Sequence, residues 1–105
     1  MMSAGISASS VVWGSVNGRE VHRIDLDTGG GFGVSFATYG ATLLSVRAAD
    51  KDGSIEEVTL QHDTLEGVVA GDAYYGGTVG RVCNRIAGAS FSGELLSTHR
   101  FLVLF

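Results

Sequence analysis

The 105-residue chain has no proline and one cysteine, Cys83. A single thiol excludes an internal disulfide framework and a cysteine-rich zinc site, and it points to a reducing compartment, the cytoplasm. Basic residues are also scarce: seven Lys and Arg stand against eleven Asp and Glu, for a formal net charge of −4. Apart from Arg81 and Arg85 they are scattered, so the chain offers no clustered positive charge to a nucleic acid backbone or an anionic membrane. Long apolar runs are missing. Phe101 to Phe105 is far shorter than the roughly 20 residues that span a bilayer. Met1 to Ser10 lacks a basic n-region, and Val11-Val12-Trp13 is too short for an h-region, so no secretory signal is expected.

Glycine is abundant, with 16 residues, and 45% of the chain is hydrophobic. That composition suits a folded domain, and the length suits one small domain. Apolar residues recur at period two more often than at helical spacing, which predicts an all-β chain of short strands joined by turns. Residues 1–10 are small and polar and are expected to be loose. Val11 to Val16 reads as a short strand, and Asn17-Gly18 as a tight turn, because both residues tolerate positive φ. Glu20 to Asp27 alternates, with Val21, Arg23 and Asp25 on one side and His22, Ile24 and Leu26 on the other. Phe32 to Tyr39 alternates again, and Phe32, Val34 and Phe36 are expected on one face. Thr42 to Ala49 follows, with Leu44 and Val46 expected inward. Asp50 to Gly53 reads as a polar hairpin loop and Ile55 to Gln61 as a further strand. Leu65, Val68 and Val69 have helix-like spacing within Asp63 to Gly71. Asp63 or Thr64 can cap that short helix and Gly71 can end it. Ala87 to Ser92 reads as the start of a new strand.

Several patterns fail their tests for chemistry. Gly29-Gly30-Gly31-Phe32-Gly33 lacks the strand–turn–helix context of a dinucleotide fingerprint. Gly76 to Gly80 lacks the Lys-Ser/Thr ending of a phosphate loop. His22 reads as an ordinary strand histidine and His62 as a turn residue. His99 has no flanking pattern that assigns it a role. Glu56, Glu57 and Glu66 read as solvated, with Glu57 placed to pair across a strand. Cys83 reads as a small hydrophobe, and Arg81 as a guanidinium bonded to backbone carbonyls.

Three blocks together resemble the aldose 1-epimerase (galactose mutarotase) family. They are Thr38-Tyr39-Gly40-Ala41-Thr42, then Asp50 to Gly53 with Asp63-Thr64-Leu65-Glu66-Gly67, and finally Tyr74-Tyr75-Gly76-Gly77-Thr78-Val79-Gly80-Arg81-Val82-Cys83-Asn84-Arg85-Ile86-Ala87. Their order and spacing match from about Val16 to Gly93, which makes residues 11–93 the N-terminal part of such a domain, whereas residues 94–105 depart from the pattern. Thr38 replaces a usual asparagine, and Cys83 a common alanine. The resemblance implies an antiparallel β-sandwich of the galactose-mutarotase supersandwich type. It implies interconversion of the α and β anomers of free aldoses such as galactose and glucose, by a glutamate base and a histidine acid, with no metal or organic cofactor. Carried over by position, Asn84 and Arg85 are the substrate-binding pair for a monosaccharide. An amide donates and accepts at once, and a guanidinium offers fixed donors that stay charged. The family's catalytic histidine and glutamate lie beyond Phe105, so no catalytic residue is assigned and the chain alone is expected to be inactive. Three other readings remain: a hexose-6-phosphate epimerase relative, a non-catalytic sugar- or partner-binding module, and a truncated product without function.

Overall fold

The computed structural model describes residues 5–71, 73–80, 87–93 and 96–100. Five antiparallel strands form one sheet in sequence order: β1 (Ser7–Val16), β2 (Arg19–Asp27), β3 (Gly33–Ala37), β4 (Thr42–Ala49) and β5 (Ile55–Glu57). A short helix α1 (Leu65–Ala70) follows, and β6 (Ser90–Gly93) pairs antiparallel with β7 (Leu96–Arg100) as a separate hairpin. The described residues are thus all-β and antiparallel apart from one helix of six residues and one short 3-10 turn.

The turns follow from residue chemistry. Asn17 and Gly18 take φ of 50° and 76°, the mirror-image geometry whose twist matches the flanking strands. Tyr39 to Thr42 closes the next hairpin through Gly40 and Ala41, at φ of 64° and 50°. Thr42 secures that turn by donating from Oγ1 to the Tyr39 carbonyl at 2.8 Å. Asp50 caps the β4–β5 loop, where its Oδ1 accepts from the amides of Asp52 at 2.8 Å and Ser54 at 2.9 Å. Thr38 Oγ1 accepts from the His22 amide at 2.9 Å and closes the end of the β2–β3 ladder.

Strand limits depart from the periodicity at several points: β3 covers Gly33–Ala37 rather than Phe32 to Tyr39, and Ala87–Ala89 form a 3-10 turn ahead of β6. β1 begins at Ser7, because its ladder with β2 runs to Ser7 opposite Asp27. β5 stops at Glu57, whose own carboxylate takes the amides of Val46 and Thr59. The side-chain bonds there replace a longer ladder.

The buried face of β3 is the reverse of the expected one. Gly33, Ser35 and Ala37 are buried, while Val34 and Phe36 are only half-buried and Phe32 is 47% exposed. Register explains this. Arg23, Ala37, Asp25 and Ser35 share one face of the sheet, and Ile24, Leu26, Val34, Phe36 and Val46 share the other. Leu44 is buried as expected. A register shift between Ser35 and Phe36 leaves Leu44 without a cross-strand partner, and both it and Ser45 are buried. Leu44 thereby joins Val21, Ala37 and Leu65 in the apolar core, with Trp13, Val16 and Val68 packed around them. That core sits where α1 covers one end of the sheet. Burying Leu65 alone contributes about 1.5–3 kcal/mol. α1 is placed as its capping residues predict: the Thr64 side chain accepts from the Gly67 amide at 3.1 Å, and the helix ends at Gly71.

Candidate functional site

The glycine-rich segment 73–80 leads covalently into the Arg81–Arg85 block, and its path is set by β4. The Leu43 amide donates to the Gly76 carbonyl at 2.9 Å, and Thr78 Oγ1 donates to the Ala41 carbonyl at 2.6 Å. The Gly77 amide closes a tight turn on the Tyr74 carbonyl at 3.1 Å. Gly76 has φ of 70°, and a Cβ built there would run into the Leu43 carbonyl. Glycine is thus required on two counts, conformation and space. The sequence block Tyr74 to Gly80 therefore has a physical reason to be glycine-rich: its backbone lies directly on the start of β4. Asn84 and Arg85, the pair singled out for sugar contact, lie outside the described residues, as do Arg81 and Cys83.

His62 sits beside this segment. Its ring stacks on Tyr75, with centroids 5.2 Å apart and planes inclined by 29°. It fills the space left by two glycines: a Cβ at Gly71 would lie 2.5 Å from Nε2, and one at Gly67 would lie 3.2 Å from His62 Cβ. Nε2 is buried without a hydrogen-bond partner among the described residues. His62 borders a cavity of ≈ 80 Å³ with Tyr39, Thr42, Val68, Tyr74 and Tyr75. Sequence reading placed His62 in a turn; its side chain proves to be a packing element between α1 and the glycine segment. The signal was Gly67 inside α1 and Gly71 just past its end, where the ring leaves no room for a side chain.

A second polar constellation, missed as a unit from the sequence, runs across the sheet. Arg23 Nε donates to Asp25 at 3.1 Å, and its Nη2 reaches Ser35 Oγ at 3.2 Å. Ser35 donates to Asp25 through a short contact. Arg47 Nη1 donates to Ser35 at 3.2 Å and to Ser45 at 3.0 Å. Ser45 and Thr59 donate to Glu57, whose carboxylate also accepts from the Val46 amide at 3.0 Å. Gly33 makes room for the Arg47 guanidinium, since a Cβ there would meet Nη2 at 2.5 Å. Desolvation raises the pKa of both carboxyls, but donors outweigh it. Ser35 and Arg23, helped by the charge of Arg47, hold Asp25 below the ordinary range. Ser45, Thr59 and two backbone amides hold Glu57 at about 2. Two guanidiniums stand beside two carboxylates, and the hydrogen bonds among them tie β2, β3, β4 and β5 together. The period-two spacing of Arg23 with Asp25 and of Ser45 with Arg47 is its trace in the sequence.

Acid–base chemistry on a sugar needs two groups on opposite sides of one C–O bond. His22 does not supply that arrangement: the residue is half-buried on β2, its Nε2 lies 3.4 Å from Glu20 Oε2, and its Nδ1 3.4 Å from Ser10 Oγ. Glu57 is the cross-strand partner its position suggested. An open hollow of ≈ 610 Å³ between the β1–β2 and β3–β4 turns is lined by Arg19, Glu20, Thr38 and Tyr39 among others. No group of three or more His, Cys, Asp and Glu able to hold a metal occurs among the described residues. Nor is any described helix long and apolar enough to cross a membrane.

Comparison with known proteins adds the family. The aldose 1-epimerase family profile matches residues 22–99. The chain is 37% identical over 59 residues to the galactose mutarotase of Bos taurus, covering 56% of this chain and 17% of that protein. It is 34% identical over 58 residues to the galactose mutarotase of Homo sapiens, covering 55% and 17%. The aldose 1-epimerase of Escherichia coli (strain K12) is 34% identical over 83 residues, covering 77% of this chain and 24% of its own length. The chain therefore spans less than a quarter of the curated relatives it matches. With the profile running over most of the chain and through the glycine segment that β4 holds in place, the chain belongs to the aldose 1-epimerase family.

Proposed function

We propose that this chain supplies the sugar-holding part of an aldose 1-epimerase, with Asn84 and Arg85 contacting a free monosaccharide, galactose or glucose. The observation that carries the reading is the family profile match over residues 22–99, a span that includes residues 84 and 85. The glycine segment beside them supports it, because a backbone pinned to a sheet is a rigid base for a positioning pair. Cys83 as the lone thiol agrees with a cytoplasmic setting.

Turnover needs more than positioning. The 105 residues alone are expected to bind without catalysing: of the histidines whose side chains are described, neither His22 nor His62 stands opposite a carboxylate across a sugar-sized gap. His22 touches Glu20 directly, and His62 is packed on Tyr75. Groups that hold a substrate equally in the ground and transition states do not lower the barrier. Polarimetry tests this. Freshly dissolved α-galactose is followed to anomeric equilibrium with and without the chain. The expected rate is that of the protein-free blank. A rate rising in proportion to protein concentration would refute the proposal.

A further inference from the structure

We propose that β1 is a self-pairing edge, through which two copies of this chain join antiparallel into one continuous sheet. The inference is independent of the sugar-holding reading. The strand order puts β1 and β5 at the two ends of the five-stranded sheet. Among the described residues β1 pairs with β2 alone, so alternate residues of β1 turn their N–H and C=O groups away from the ladder. Such a row is the template on which an added strand builds.

The two edges are built differently. β5 has three residues, two of them Glu56 and Glu57, and the Glu57 carboxylate accepts from the amides of Val46 and Thr59. Shortness and charge are the usual means of blunting an edge. β1 has neither. It runs ten residues, Ser7–Val16, with no charged residue and no proline. Ser7 to Val12 are all exposed, Val11 and Val12 at 53% and 58%. The ladder to β2 is regular through this stretch and shifts only past Val12, so no bulge bends it away from a partner.

The occupant follows from charge and symmetry. A two-fold axis normal to the sheet sets residues near the middle of the strand beside their own copies, where a charge would meet itself. The chain carries a net charge of −4 and places none of its charged residues on this strand. A charged peptide finds no complement there, whereas a strand of serine, alanine and valine finds one in its duplicate. β1 can meet β5 of another copy over three residues only, which disfavours an open head-to-tail fibre and leaves the closed two-fold dimer. Ten residues a side fall short of the roughly 20–30 of a standard stable interface, so the dimer is expected to dissociate on dilution.

The experiment follows the full chain by sedimentation equilibrium over a dilution series, as wild type and as two variants. Ser9 lies opposite Asp25 of β2, and Val11 opposite Arg23. Ser9→Lys and Val11→Glu thus each set a new charge beside an opposite one within the sheet and near a like one across the dimer. The wild type is expected to pass reversibly between monomer and dimer. Hydrogen-exchange protection should rise with concentration at alternate amides of Ser7 to Val12 and not at Ile55 to Glu57. Each variant is expected to raise the dimer dissociation constant about 2- to 30-fold, the range of two like-charge pairs, and an equimolar mixture of the two to associate as tightly as the wild type. A wild type that stays monomeric throughout, or that assembles beyond dimers, would overturn the proposal. So would variants that dimerise like the wild type, or a mixture no tighter than either variant alone. Should a variant fail to fold, the wild type alone decides: protection along β1 that does not change with concentration refutes self-pairing.

Discussion

Replacing Gly76 by alanine attacks the junction between β4 and the glycine segment. The added methyl has two consequences. At φ of 70° an L-residue with a side chain is strained by about 1–2 kcal/mol. The Cβ also runs into the Leu43 carbonyl, a backbone group that β3 and β4 hold in place, so the segment must move. Moving it stretches the Leu43–Gly76 hydrogen bond of 2.9 Å, worth about 0.5–1.5 kcal/mol net. Alanine recovers about 0.5–1 kcal/mol through the smaller entropy of the unfolded chain. The balance is a local destabilisation of about 1–2.5 kcal/mol. Native-state hydrogen exchange reads it directly: protection at the Leu43 amide should fall about 5- to 70-fold. Protection at the β2–β3 amides should fall much less. A Leu43 amide within twofold of wild type would refute the assignment of Gly76 as a contact glycine.

Further outcomes follow from the same contacts. Thr64→Ala removes the cap of α1 and should cost about 1 kcal/mol in denaturant midpoint analysis, whereas Thr64→Ser should cost little. Ser35→Ala leaves Asp25, Arg23 and Arg47 each short of a partner at a fully buried site, and should destabilise by about 1–3 kcal/mol in the same assay. Glu57 binds a proton less readily folded than unfolded, at about 2 against an ordinary 4.5, so its contribution is complete above pH 4.5 and lost as the pH falls toward 2. Glu57→Gln should therefore flatten acid unfolding in that window while lowering stability at neutral pH. The carboxylate is exposed, so water competes for its bonds and the effect stays small. A slope unchanged in Glu57→Gln would count against the donor set described.

Much of the fold was legible because turn chemistry is local. Asn17-Gly18, Gly40-Ala41 and the Asp50 loop mark the hairpins, and Thr64 and Gly71 bound the helix. Facing was less legible. Val34 and Phe36 suggested the buried side of β3, yet Ser35 is the fully buried residue there. Hydroxyls bonded to guanidinium and carboxylate groups can be buried at little cost, and no single-strand pattern reports partners on β2 and β4. Leu44 stood on the expected side only because a register shift placed it there, which periodicity alone cannot foresee. Around the site, the glycine motif was visible as a motif, while its contact with Leu43 and the seating of His62 came from tertiary packing. The stack on Tyr75 joins residues 13 apart in sequence across a helix, and histidine in a turn carries no mark of such a partner.

The central claim, that residues 84 and 85 hold a monosaccharide, is tested most directly by titrating galactose into the labelled chain and following the Arg85 Nε–Hε and Asn84 side-chain amide resonances. The account predicts saturable shifts at both, an affinity weakened about 10- to 150-fold in Arg85→Ala, the range of one charge-assisted hydrogen bond of about 1.5–3 kcal/mol, and incomplete recovery in Arg85→Lys, where a point charge replaces a planar fork. Resonances of Asn84 and Arg85 that stay fixed while others shift, or an affinity unchanged in Arg85→Ala, would contradict it.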